Sequence, residues 1–122
     1  MSLYFITGNK GKFVEVQAIL PEVEQLDIDV PEVQEIDAQK VLDAKLKAAR
    51  EHHNGSFVVE DTSLYFDCLN GLPGPLIKWF LKTIGNEGLF RLTEAFGNSA
   101  TEVKTVVGYI GESGEEHFFE GV

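Results

Sequence analysis

The spacing of apolar residues changes along the chain, and each change marks an element. Leu3–Ile6 is a short continuous apolar run that ends at Thr7-Gly8-Asn9, the pattern of a buried strand entering a turn. Phe13, Val16, Ile19 and Leu20 then recur at helical spacing over Lys12–Leu20, and Pro21 stops that helix. Leu26–Val30 alternates apolar and acidic residues, as a half-exposed strand does. Pro31–Ile36 reads as extended loop. Asp37 is placed to cap a helix in which Ala38, Val41, Leu42, Lys45, Leu46 and Ala49 recur at intervals of three and four, with Gly55 as its stop. Phe57-Val58-Val59 is a short apolar strand, and Leu64–Phe66 reads as another.

The second half continues with a turn-rich segment, Asn70-Gly-Leu-Pro-Gly-Pro75. Pro75 suits the first turn of an apolar helix through Ile84, and Asn86 suits the cap of a second helix through Ala95. Glu102–Ile110 alternates as a strand, Gly111–Gly114 makes a turn, and Glu116–Glu120 returns as its hairpin partner. Strand alternating with helix predicts an α/β fold, a mixed sheet flanked by helices. The hairpin predicts an exposed sheet edge, through which two copies could pair as a homodimer.

With 122 residues and 43% hydrophobic side chains, the chain is expected to form one domain over 1–122 with a packed core. A formal net charge of −10 repels nucleic-acid backbones and anionic lipid, so neither nucleic acid nor a membrane is an expected partner. A single cysteine, Cys68, suits a reducing cytoplasm and excludes a cysteine-based zinc site. His52, His53 and His117 lack metal-ligand spacing and read as surface residues.

Four segments carry candidate chemistry. Thr7-Gly8-Asn9-Lys10-Gly11-Lys12 joins a strand to a helix N-terminus, where unpaired N–H groups and two lysines favour an anion. It lacks the glycine spacing of a Walker loop, and an ordinary turn with solvated lysines is the alternative. Glu60-Asp61-Thr62 follows an apolar strand, the place where open α/β sheets hold ligands, and its acids suit Mg²⁺ or plain solvation. Adjacent strand residues face opposite ways, so Glu60 and Asp61 are not expected to share one task. Glu32 or Glu35 could add a second carboxylate, and Lys40 lies in the first turns of the following helix; local pattern alone favours solvation for all three. Lys78, inside an apolar helix start with Ile77, Trp79 and Phe80, either reaches water or meets an anion.

Thr7–Lys12, Val30-Pro-Glu32, Gln39-Lys40, Val59-Glu-Asp-Thr62 and Gly71-Leu-Pro-Gly-Pro-Leu-Ile-Lys-Trp-Phe80, in this order, resemble the inosine triphosphate pyrophosphatase (Ham1-like) family. The last segment is the most specific, and the likeness runs over essentially the whole chain. The resemblance implies Mg²⁺-dependent hydrolysis of non-canonical purine triphosphates (ITP, dITP, XTP) to the monophosphate and pyrophosphate. It implies that Thr7, Gly8, Asn9, Lys10, Gly11 and Lys12 cradle the triphosphate and that Lys40, Lys78 and Thr62 contact it. Glu32 and Asp61 would hold the metal, with Asp61 also the base toward water. The family's further third, with its Phe-Gly-x-Asp and Ser-His-Arg segments that grip the purine, has no counterpart here, which implies a domain incomplete at its C-terminus. The alternative is a silent homologue that binds nucleotide or associates with itself.

Overall fold

The computed structural model describes residues 2–30 and 33–122. The elements run β1 (Leu3–Ile6), α1 (Lys10–Ile19), β2 (Glu24–Leu26), α2 (Ala38–His52), β3 (Ser56–Phe66), a 3₁₀ turn (Asp67–Leu69), β4 (Pro73–Gly74), α3 (Ile77–Thr83), α4 (Gly85–Phe96), β5 (Thr101–Ile110) and β6 (Glu116–Gly121). The sheet has the order β2-β1-β3-β5-β6, with β4 on β3. β1 is parallel to β2 and β3, whereas β3, β5 and β6 are antiparallel to one another in turn. The fold is therefore the expected α/β arrangement, a mixed sheet flanked by helices.

Helix α2 packs Ala38, Leu42, Leu46 and Ala49 against Phe57, Val59, Val106 and Ile110 on one face of the sheet. On the other face, Phe13, Val16 and Leu20 of the α1 region cover Phe5, Val23 and Val58. Ile77 and Phe80 of α3 and Leu89 of α4 close over Leu64 and Phe66 on that same face, further along β3. Leu42, Leu46, Ala49 and Phe57 are fully buried, and burying a side chain of Leu or Phe size stabilises by about 1.5–3 kcal/mol.

Five local expectations change. The short strand Phe57–Val59 and the separate Leu64–Phe66 are one strand, β3, paired with β5 from Phe57↔Ile110 to Phe66↔Thr101. Glu60-Asp61-Thr62 is thus mid-strand; continuous pairing with β5 carries the polar residues through. β2 is Glu24–Leu26 instead of Leu26–Val30, because its partner β1 ends at Ile6 and the Thr7 N–H to Leu26 carbonyl bond at 3.2 Å closes the ladder. α1 starts at Lys10, not Lys12. Pro75 lies ahead of α3, which starts at Ile77 with Leu76 as its cap. Asn86 lies inside the first turn of α4, whose cap position is Ile84. Gly85 at φ +66° ends α3 there and turns the chain directly into α4.

The long reach of β3 builds the functional region. Along one edge, β1 pairs with Ser56–Val58 and β4 pairs with Leu64–Tyr65. Between them, Val59–Ser63 has no strand partner on that edge among the described residues. A notch opens at the point where the parallel strands stop.

Candidate functional site

The notch is the floor of a cleft of about 910 Å³. Thr7, Gly8 and Asn9 form one wall, Ile28, Asp29 and Val30 another, and Glu60, Asp61 and Thr62 the floor; Lys12, Lys45 and Lys78 reach it from α1, α2 and α3.

The wall at Thr7–Asn9 is held by its own hydrogen bonds. Asn9 is the N-cap of α1, its Oδ1 accepting the Lys12 N–H at 3.1 Å. Thr7 Oγ1 accepts the Asn9 N–H at 3.1 Å, and Gln25 Nε2 donates to the Thr7 carbonyl at 3.0 Å. A Cβ on Gly11 would stand 3.2 Å from Asn9 Oδ1, so glycine there gives the cap room. A Cβ on Gly8 would stand 3.3 Å from Asp27 Oδ1, so Gly8 is also tightly placed.

The floor divides its residues between faces. Val58 lies on the α1 face and Val59 on the α2 face, so alternation puts Glu60 and Thr62 with α1 and Asp61 with α2. Their partners agree. Glu60 pairs with Lys12 of α1, and its Oε2 accepts the Thr62 hydroxyl at 3.2 Å. Thr62 Oγ1 also lies 3.0 Å from Thr105 Oγ1 on β5. Asp61 Oδ2 accepts the hydroxyl of Ser63, the next residue on its own face, at 2.6 Å.

Of the sequence-predicted residues, the structure brings Thr7, Gly8, Asn9, Lys12, Asp61, Thr62 and Lys78 together around this cleft. Lys10 is exposed at the start of α1, and neither it nor Gly11 lines the cleft. Lys40 is exposed and does not line it either; the α2 lysine that does is Lys45, half-buried one turn further along. Its signal was present in the sequence, because Lys45 is the single charged residue in the apolar stripe of that helix. Glu32 lies outside the described residues. Glu35 accepts the N–H groups of Ile36 and Asp37 at 2.9 and 3.4 Å and does not line the cleft.

Magnesium requires hard oxygen donors and usually keeps several waters, bound through one or two carboxylates plus substrate phosphates. Asp29, Glu60 and Asp61 provide such carboxylates at the cleft, and among the described residues no group of three or more acids, histidines or cysteines forms a complete cage. The donor chemistry therefore fits an ion shared with a phosphate ligand. Glu60 is already engaged by Lys12, which leaves the carboxylates of Asp29 and Asp61 at the cleft.

The Ham1 family model matches residues 3–122, and the chain belongs to that family. It is 42% identical over 125 residues to inosine triphosphate pyrophosphatase of Schizosaccharomyces pombe, covering 99% of this chain and 66% of that protein. It is 43% identical to the Pyricularia oryzae inosine triphosphate pyrophosphatase, covering 97% of this chain and 64% of that one. The chain thus spans just under two thirds of the length of these relatives. Its fold superimposes on the nucleoside-triphosphatase / dITP/XTP pyrophosphatase of Mycobacterium abscessus with a TM-score of 0.80 at 20% identity, over 99% of this chain and 71% of that one. The Staphylococcus aureus Ham1 protein gives a TM-score of 0.77 at 21% identity, over 99% and 69% of the two chains.

Proposed function

We propose that the cleft binds a purine nucleoside triphosphate of non-canonical type (ITP, dITP or XTP) and hydrolyses it to the monophosphate and pyrophosphate. The carrying observation is the convergence of Asp61 with Lys12, Lys45 and Lys78 at one opening in the sheet. A triphosphate brings about four negative charges to a protein at −10, so its site must concentrate cations locally. Three ammonium groups and the capped N-terminus of α1 supply that concentration. Family membership and the inosine triphosphate pyrophosphatase relatives support the choice of substrate.

The chemistry is displacement at the α-phosphorus. Water forms the new O–P bond, Asp61 accepts its proton, and the bridging bond to the β-phosphate breaks. Pyrophosphate leaves with the bonding pair, its charge met by the lysines. Magnesium, held by Asp61 and by Glu32 where family position puts it, would polarise the phosphoryl group and offset charge. The lysine that contacts the phosphates from α2 is Lys45, which lines the cleft as Lys40 does not.

Pyrophosphate release with Mg²⁺ from ITP and XTP, set against ATP and GTP, tests this reading. Release from ITP well above that from ATP is the expected result; no release from any of the four contradicts it.

The same reading includes a homodimer through the outer strand. β6 is an edge of the sheet, and its Phe119 is 64% exposed. It also includes a cytoplasmic location, supported by the free thiol of Cys68; among the described residues no helix is long and apolar enough to cross a membrane.

A further inference from the structure

We propose that Ser63 is a positioning residue that sets the orientation of the Asp61 carboxylate; this rests on the pyrophosphatase reading of the cleft. Ser63 is 1% exposed, and its Oγ donates to Asp61 Oδ2 at 2.6 Å. Residues two apart on a strand share a face, so the hydroxyl stands beside the carboxylate without any loop to flex between them. The strand itself is pinned along its other edge, with Asp61 opposite Val106 and Ser63 opposite Lys104. Val106 offers Asp61 no polar group, whereas Ser63 does.

A buried hydroxyl has one proton to give, and giving it to a carboxylate satisfies both groups. The consequence for Asp61 is directional. The bond takes one lone pair of Oδ2 and restrains rotation of the carboxylate, so the remaining lone pairs are held in fixed directions at a residue that lines the cleft, to take the proton of water or to reach a cation. Groups that hold a reactive carboxylate in this way typically matter about 10- to 100-fold in activity. Ser63 belongs to no motif singled out in the sequence, and its role is visible only from the strand register and the hydrogen bond.

The test uses the full chain and four proteins: wild type, Asp61→Asn, Ser63→Ala and Ser63→Thr. Steady-state hydrolysis of ITP is measured with the Asp61 side-chain rotamer, read from three-bond NMR couplings. Ser63→Ala is expected to lower kcat roughly tenfold with KM within twofold, and to replace a single Asp61 rotamer by an average. Ser63→Thr, which keeps the hydroxyl, is expected to restore both; if its extra methyl lowers the melting temperature, Ser63→Ala decides alone. Unchanged kcat or an unchanged single rotamer in Ser63→Ala, while Asp61→Asn is inactive, overturns the role of Ser63 and leaves the reading of Asp61 intact. Wild-type turnover in Asp61→Asn, or none in wild type, overturns both.

Discussion

Three ammonium groups reach one cleft from three helices, and each arrives by a different local device. Lys12 is set by the Asn9 cap and by Glu60, Lys78 by the start of α3, and Lys45 by a position in the apolar stripe of α2. That stripe is buried against the sheet at Leu42, Leu46 and Ala49, so Lys45 is carried toward β3 by the packing of its neighbours. Lys40, earlier on the same helix, is exposed. Lys45→Ala is therefore expected to raise KM for ITP about tenfold, the scale of one charge-assisted bond, and Lys40→Ala to change it less than twofold. Steady-state kinetics of the two variants side by side checks this. The expectation for Lys40 came from the family resemblance that includes Gln39-Lys40; helical phase leaves Lys40 exposed and puts Lys45 at the cleft.

The element that makes the site is β3. Its eleven residues outrun β1, and the exposed stretch of its edge before β4 is the cleft floor. The sequence breaks there into two apolar runs because Glu60-Asp61-Thr62 is polar, and these residues line the open cleft instead of packing in the core. Local hydrophobicity therefore reads the strand as ending where its edge meets the cleft. β1, α2 and the β5–β6 hairpin were legible, since each has one uniform period and a proper cap or turn: Asp37 Oδ1 accepts the Gln39 N–H at 2.9 Å, and Gly114 turns the hairpin at φ +91°. Asn86 was not, because the junction is made by Gly85 and Ile84 without a side-chain cap. A second element-scale contact ties the edge strand to α2. The carboxyl of Glu116 on β6 has an Oε2 that is buried without a partner. The neighbouring Asp43 carboxylate, first by favouring a proton shared between the two groups and then with burial and its charge, holds Glu116 above its ordinary 4.5, opposed by Lys47. The same proximity of Glu116 holds Asp43 below its ordinary 3.8, against burial and with Lys47 assisting from 2.9 Å. Glu116 thus stabilises the fold below pH 4.5, and that contribution is lost as pH rises through its raised value; Asp43 contributes above 3.8 and loses its contribution as pH falls through its lowered one. Glu116→Gln, which stays neutral and keeps a donor, is expected to raise the melting temperature by about 2 °C at pH 7.5 and not at pH 4. Thermal melts at the two pH values check it; equal shifts at both would contradict it.

At the scale of the whole molecule, a chain with net charge −10 gathers three of its ten basic side chains at one cleft. Asp29, Glu60 and Asp61 line the same cleft, so its lysines offset the local acids and a divalent cation would tip the balance toward a polyphosphate. Among the described residues β6 is the outer strand of the sheet, and the homodimer proposed above would pair along it. Sedimentation equilibrium should give a dimer that Phe119→Lys shifts to monomer; a monomeric wild type would remove this part of the account. The α/β class and most elements were legible because burial dictates them. Local pattern reads the cleft as separate motifs; the family resemblance joins Thr7, Asp61 and Lys78 around one triphosphate, and the structure adds Lys45 to them. Hydrolysis of ITP in ¹⁸O-enriched water tests that meeting most directly. The account predicts one labelled oxygen in the monophosphate and none in the pyrophosphate; label in released phosphate or pyrophosphate, or intact ITP, would contradict it.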